Sequence, residues 1–500
     1  SQMNHTRLSV ALLAVVFSAT GCSTDLTELN VNPNNPTSAP ASSLFTGATV
    51  SALGRFNGSF QTLSMTSLFA QHIAQVQYVD EDRGHIRSTT VDALFTGAYT
   101  AELEDYQKVI ELGKASASPN ISGPAYVMQT WVYQNLTDLF GDIPYSEALQ
   151  GDAGGPLQPK YDMQKDIYTG MLKTLTDASA AMTTSGSGGV GAADPIYSGD
   201  VAKWQKFSNS LRLRLAMRMQ KADAAKAAAE INAALSAPGG VMLSNADNAK
   251  LTWPGDGVFD NPWSANFSTR DDHRVSKTLL DTMLTLSDPR VQIYAQPTKA
   301  DPNVYAGLQN GLDNITVTPF FNTTSRPGAV FYPGATSYGV YGSSAGKTTP
   351  SYLMTFAEVS FIRAESAERG IGGQTGAAAY YNAGVRASIQ QWGGTDAAVD
   401  AYLLRPGVAY VPGATGLRQI GLQKWIALFT QGAEAWSEWR RTGNPATIRM
   451  GPKAYPDVLE VPRRIPYASN EQSVNATSLS EAIARQGPDN YSTRMWWDRP

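Results

Sequence analysis

Between Ala202 and Met219, the residues Trp204, Phe207, Leu211, Leu215 and Met219 recur at three- and four-residue steps. That spacing stacks apolar side chains on one face of an α-helix and does not fit the two-residue period of a strand. The pattern repeats along the chain. Leu44–Ala74 predicts one or two helices, and Thr90–Leu112, Ala125–Leu139 and Tyr168–Met182 one each. ADAAKAAAEINAAL, after Lys221, is made of strong helix formers. Helical spacing returns at Phe356–Arg369, Ala377–Gln391 and Leu422–Trp439. Helices of about 12 to 18 residues joined by short turns predict a helical-hairpin scaffold.

AAAYYNAGVRASIQQWG, at 377–393, has the small residues and aromatics of a tetratricopeptide helix. No strict repeat of about 34 residues can be laid over the chain. From about 246 to 350 the helical pattern gives way to Trp, Phe and Tyr interleaved with Gly, Pro and Asn, and the tail from 443 is irregular and Pro-rich. The expected fold is mainly α, a tetratricopeptide-like scaffold forming one large domain over 43–500 with a loop-rich insertion about 246–350. Two domains divided near 245 are the alternative.

Several function classes drop out. The chain has 500 residues, 42% hydrophobic and 16% charged, ample for a large core. Its 39 basic and 43 acidic residues form no basic stripe, which excludes nucleic acid as a partner. GSSAG at 342–346 places Ser344 in a G-x-S-x-G pattern, but His5, His72, His85 and His273 all precede it. An α/β-hydrolase needs its histidine after the nucleophile. AGKT at 345–348 lacks the glycine a phosphate-binding loop needs, because position 341 is Tyr. No cofactor is expected. Scattered carboxylates and carbonyls leave a structural calcium ion open.

The single cysteine, Cys22, excludes an internal disulfide and a Cys-based zinc site. Arg7 precedes an apolar run, Leu8–Phe17, and then the small residues SATG lead into Cys22. This is the plan of a signal peptide over 1–21, too short to span a bilayer as a helix. The small residues before the cysteine resemble the lipobox of bacterial lipoproteins, with Ala19 where a larger apolar residue is usual. Cys22 is then a lipid attachment point, and the polar, Asn- and Pro-rich stretch 22–42 a flexible tether.

Two acidic clusters, Asp80–Asp82 and Asp271–Asp272, stand beside basic residues in loop-like segments, where solvated charge is the simple reading. Two carboxylates about 5 to 10 Å apart would serve a glycosidase, a distance sequence does not give.

Six segments in order carry a resemblance: DLFGDIPYSEAL at 138–149, WQKFSNSLRLRLAMRM at 204–219, SDPRVQIYAQPT at 287–298, FAEVSFIRAESAERG at 356–370, QKWIALFTQGAEAWSEWRRTGNP at 423–445 and PRRIPY at 462–467. Together they resemble the SusD/RagB-type nutrient-binding outer-membrane lipoproteins, of the SusD-like branch, from Cys22 to the C-terminus. The resemblance implies a tetratricopeptide-like fold, an outward-facing lipid anchor in the outer membrane, and no enzyme activity. It also implies a lid role on a SusC-like TonB-dependent barrel transporter, with oligosaccharides or sometimes peptides as ligands.

A sugar surface needs exposed flat aromatics with polar neighbours for the hydroxyls. QVQYVDEDRGHIRS at 75–88 offers Tyr78, Asp80, Arg83 and His85. LTWPGDGVFDNPWSANFSTRDD at 251–272 offers Trp253, Phe259, Trp263 and Phe267. Tyr305, with Tyr332, Tyr338 and Tyr341, is a weaker candidate. The competing functions are a secreted glycoside hydrolase using a carboxylate pair, and a helical-repeat scaffold that binds only a protein partner.

Overall fold

A computed structural model describes residues 39–186, 188–332 and 344–500. The signal peptide, Cys22, most of the tether, Tyr338 and Tyr341 lie outside the described residues. Residues Ala41–Pro500 make one compact unit rather than two.

The helices form where the periodicity places them. They are α1 (Ala41–Phe56), α2 (Ser88–Gly97), α3 (Glu104–Ala115), α4 (Pro119–Phe140), α5 (Gln164–Ala181), α6 (Val201–Arg218) and α7 (Ala224–Ser236). After the insertion come α8 (Phe356–Glu368), α9 (Ala377–Gln391), α10 (Ala414–Ala427), α11 (Gly432–Thr442) and α12 (Ala476–Gln486). From α3 to α7 each helix packs on the next, and α8 packs on α9, α10 and α6. This is the tetratricopeptide-like stacking of helical hairpins.

Local chemistry sets the helix ends. Asp200 caps α6 by accepting the Lys203 amide at 3.2 Å, and Thr355 caps α8 by accepting the Glu358 amide at 3.2 Å. Gly443 closes α11 with a left-handed φ of 72°.

Two expected helices differ. Thr90–Leu112 is interrupted between α2 and α3 by a wider π-helical stretch, Ala98–Leu103. The periodic stretch Leu422–Trp439 breaks between α10 and α11, where Thr430 takes a φ of 76°. Gly432 lies so close to α-helical neighbours that an added Cβ would sit 2.5 Å from Ser67 Oγ. Close approach to that segment, a tertiary contact, overrides helical propensity here.

Buried ion pairs lock the scaffold. Arg214 on α6 grips Glu358 on α8 at 2.7 Å, and Arg218 on α6 pairs with Glu434 on α11. Arg441 on α11 spans Glu365 at 2.6 Å and Glu438 at 2.8 Å, while Lys424 on α10 reaches Glu438 at 3.0 Å. Burial would raise the Glu365 carboxyl, but Arg441 outweighs it and holds it at about 2. Within 356–370 the charges divide: Arg369 bonds Glu365 at 2.8 Å, whereas Glu358 turns to another helix.

Three short antiparallel pairings pin the loops. β1 (Ile73–Gln75) pairs with β5 (His273–Val275), β2 (Ile143–Pro144) with β3 (Tyr161–Asp162), and β4 (Ala249–Leu251) with β6 (Ser351–Met354). The insertion is thus fastened to the scaffold by β4–β6 and β1–β5. Its aromatic residues join the scaffold core: Trp263 meets Phe331 at 5.2 Å and Phe429 at 5.7 Å between ring centroids.

Candidate functional site

The segment after β1 is an ordered loop with a buried underside. Asp82 accepts the Gln75 amide at 3.1 Å and the Asn310 side chain at 2.7 Å. Gln75 in turn accepts the Asp82 amide and donates to Glu81, each at 3.1 Å. Arg87 meets Glu81 at 2.7 Å. Burial pushes the Asp82 carboxyl up to about 7 against these hydrogen bonds. Gly84 is needed where it stands: its φ is 106°, and a Cβ would fall 2.7 Å from Val458.

The upper side of the same loop faces outward and meets residues 453–457. Tyr455 donates to Asp80 at 2.6 Å, and its amide donates to the Arg83 carbonyl at 3.1 Å. Arg83 donates to the Lys453 carbonyl at 2.6 Å. His85 stacks on the Tyr455 ring at 3.8 Å with planes 7° apart, and the Arg83 guanidinium lies 4.0 Å from the same ring centroid. Two groups that close cannot share one face, so Tyr455 is sandwiched between them. His85 is left with an outer face, 42% exposed, and is held by Asp457 at 2.9 Å. The bond from His85 draws the Asp457 carboxyl below its usual range. Tyr78, on the same loop, is 57% exposed at a φ of 53°, with the Arg270 guanidinium 4.8 Å from its ring. Arg270 is steered by Asp272 at 2.6 Å.

The outer side of the loop thus carries a ledge, the stack of His85 on Tyr455 and Arg83 bordered by Asp80 and Asp457, and Tyr78 is a second exposed ring on the same loop. Rings of this kind cover apolar C–H faces, and the charged groups can bond hydroxyls. Of the four residues picked from 75–88, the fold brings Asp80, Arg83 and His85 together around Tyr455, and Tyr78 is exposed on the same loop against Arg270. Tyr455 and Asp457 were missed. Their stretch, KAYPD at 453–457, sits in a tail with no periodic pattern, and its one signal is an aromatic among Pro, Lys and Asp.

The second segment is placed differently. Trp253 is 4% exposed and donates its indole N–H to Ser351 at 2.9 Å. Trp263 is 3% exposed and donates to Thr62 at 2.8 Å. Phe267 is buried and stacks on Tyr332 at 4.5 Å. These three are core side chains, and each indole finds the partner that burial demands. Phe259 is 48% exposed, on a turn whose Asp256 carboxylate accepts the amides of Val258 and Phe259. Tyr305 is half-buried against the core. The acidic clusters are also tighter than solvated charge: Glu81, Asp82 and Asp272 are buried, and Asp271 bonds Arg274 at 2.9 Å and pairs with Arg326.

Among the described residues no group of three or more His, Cys, Asp or Glu side chains is arranged to hold a metal ion. No helix of the described residues is long and apolar enough to cross a membrane.

A family model described as "Starch-binding associating with outer membrane" matches residues 33–468. A solved chitin-binding protein is 28% identical, with a TM-score of 0.80, over 92% of this chain and 100% of that one. A chitin-binding SusD homolog from Flavobacterium johnsoniae is 25% identical, with a TM-score of 0.79, over 92% of this chain and 98% of that one. A SusD homolog from Bacteroides uniformis shares the fold, at 24% identity and a TM-score of 0.79, over 93% of this chain and 100% of that one. Among curated proteins none matches this sequence. With the helical-hairpin scaffold and the match over most of its length, the chain belongs to the SusD-like family.

Proposed function

We propose that this protein is a non-catalytic cell-surface lipoprotein that binds nutrient oligosaccharides. In this reading it is the lid of a SusC-like TonB-dependent transporter in the outer membrane. The observation that carries the binding role is the ledge: His85 presents a flat face with Asp80, Arg83 and Asp457 around it to partner hydroxyls, and the exposed Tyr78 ring lies on the same loop. The family description and the two chitin-binding neighbours support a glycan as the ligand and make N-acetylglucosamine oligomers and starch oligomers the first probes. No cofactor or resident metal belongs to this reading. A rise in melting temperature with added calcium would revise that point.

Calorimetric titration of the purified protein with these oligomers tests the binding role. Saturable heat that weakens in Tyr78→Ala supports it. Release of reducing ends would replace the binder with a hydrolase. The lid role requires a partner surface well above about 1,000 Å². Native-membrane purification should therefore recover a barrel transporter with the protein, and recovery of the protein alone counts against the lid. The anchor at Cys22 is tested by Cys22→Ala: the variant should fold and bind oligomer but leave the membrane when the barrel is deleted.

A further inference from the structure

The outer face of His85 is only as well placed as what lies behind it. The contact between His85 Nε2 and Asp457, at 2.9 Å, fixes one ring atom but not the tilt of the ring. The tilt is set by the Tyr455 ring, 3.8 Å behind the imidazole and 7° from parallel. A ring fixed in this way has already lost the freedom that a ligand would otherwise have to remove.

Tyr455 is itself held on several sides. Its hydroxyl donates to Asp80 at 2.6 Å and its amide to the Arg83 carbonyl at 3.1 Å. The Arg83 guanidinium covers the face turned away from His85, 4.0 Å from the ring centroid, and donates to the Lys453 carbonyl at 2.6 Å. The tail backbone is tied down as well. The Lys453 amide donates to the Gly311 carbonyl at 2.9 Å, and Gly451 passes the Asn310 carbonyl with no room for a Cβ. Asn310 also donates to Asp82 at 2.7 Å, so the tail and the buried underside of loop 75–88 share one anchor. Both ring faces of Tyr455 are covered and its hydroxyl is engaged, so it serves a ligand only through His85.

We propose that Tyr455 is a positioning residue for glycan binding: it holds the His85 imidazole at a fixed tilt, so that the outer face is set before a sugar arrives. This inference rests on the reading of the ledge as the binding face. Immobilising one free side chain on binding weakens affinity by about two- to tenfold, and the stack on Tyr455 avoids that loss.

The test titrates the full chain with chitin and starch oligomers by calorimetry, in the parent, Tyr455→Ala, Tyr455→Phe, His85→Ala and the double variant of Tyr455→Ala with His85→Ala. Tyr455→Ala should weaken binding about fivefold with an unchanged circular dichroism spectrum. Tyr455→Phe keeps the ring and loses only the bond to Asp80, so it should bind within about twofold of the parent. The double variant should bind no more weakly than His85→Ala, because Tyr455 acts through the imidazole. Proton NMR gives a readout that needs no ligand. The Tyr455 ring current should shift the His85 Hε1 resonance upfield in the parent and in Tyr455→Phe, and that shift should vanish in Tyr455→Ala. The proposal is overturned if Tyr455→Ala binds as the parent does, if Tyr455→Phe is as weak as Tyr455→Ala, if the losses of the two alanine variants add, or if the His85 resonance does not move. If the parent binds neither oligomer, or His85→Ala binds as the parent does, the reading of the ledge fails, and the His85 resonance alone decides whether Tyr455 sets the ring.

Discussion

Two loops of similar composition meet opposite fates in this fold. Both 75–88 and 251–272 mix large aromatics with Asp, Arg and turn residues. The first turns its charged underside into the protein through Asp82 and Glu81 and leaves Tyr78 and His85 outside. The second turns its rings inward, where Trp253 and Trp263 hydrogen-bond Ser351 and Thr62, and leaves only Phe259 at the surface. Aromatic content is therefore no guide to a binding face. What separates the loops is whether a partner for the indole N–H and a neighbouring ring exist below. Trp263 has Phe331 and Phe429 beneath it, whereas the Tyr78 ring has the Arg270 guanidinium at its side.

The contrast breaks most sharply with Trp263→Ala. Removing a buried ring that three other aromatics touch should lower unfolding stability by about 3 to 5 kcal/mol, measured by urea denaturation. The folded fraction should keep the parent's affinity for oligosaccharide. A stable variant with lost affinity would move the binding face to the insertion.

Acid sharpens the same division, because the buried loop side carries His273 and the neighbouring strand segment carries His72. Burial pushes both imidazoles down to about 3, with cations around His273 adding to the effect. The folded protein keeps them neutral while the unfolded chain protonates near 6.5. Their stabilising effect is thus full above that pH and is lost as pH falls from 6.5 toward 3. Asp82 acts in the other direction between 3.8 and about 7, since burial makes its folded carboxyl hold a proton that the unfolded chain releases. The two histidines thus add a rise in stability with pH between pH 5 and 6.5, which Asp82 and the other raised carboxyls oppose. Denaturation midpoints across that window in the parent and in His72→Gln check it: the variant's profile should rise less steeply, and an unchanged slope would mean the imidazole is charged in the fold.

On the exposed side, His85→Ala removes one ring face and frees Asp457, at little expense to folding. It should weaken oligosaccharide binding by about 1 kcal/mol, read by calorimetry. Phe259→Ala gives the smallest effect: stability should change by no more than about 0.5 kcal/mol and affinity should hold. A large loss of affinity there would extend the site to the insertion.

The helices were legible because burial of one face imposes a period that any single sequence displays, as Trp204, Phe207, Leu211 and Leu215 do on α6. The caps at Asp200 and Thr355 were also local chemistry. The break at Thr430 was not, since it depends on Gly432 meeting Ser67, far away in the chain. Part of the site could be read in the same way. Tyr78, Asp80, Arg83 and His85 are neighbours in sequence, on the loop directly after β1.

The rest needed the tertiary fold. Tyr455 and Asp457 reach Asp80 and His85 across more than three hundred and seventy residues, through contacts no local pattern encodes. Glu358 and Glu365 lie about two helix turns apart on α8, yet their partners, Arg214 and Arg441, come from other helices. Sequence by itself determined where apolar faces and caps make helices, because those depend on neighbours three or four residues away. Only the tertiary structure decided which charges are paired and which aromatics stay outside. Burial and ion pairing depend on what arrives from elsewhere in the chain.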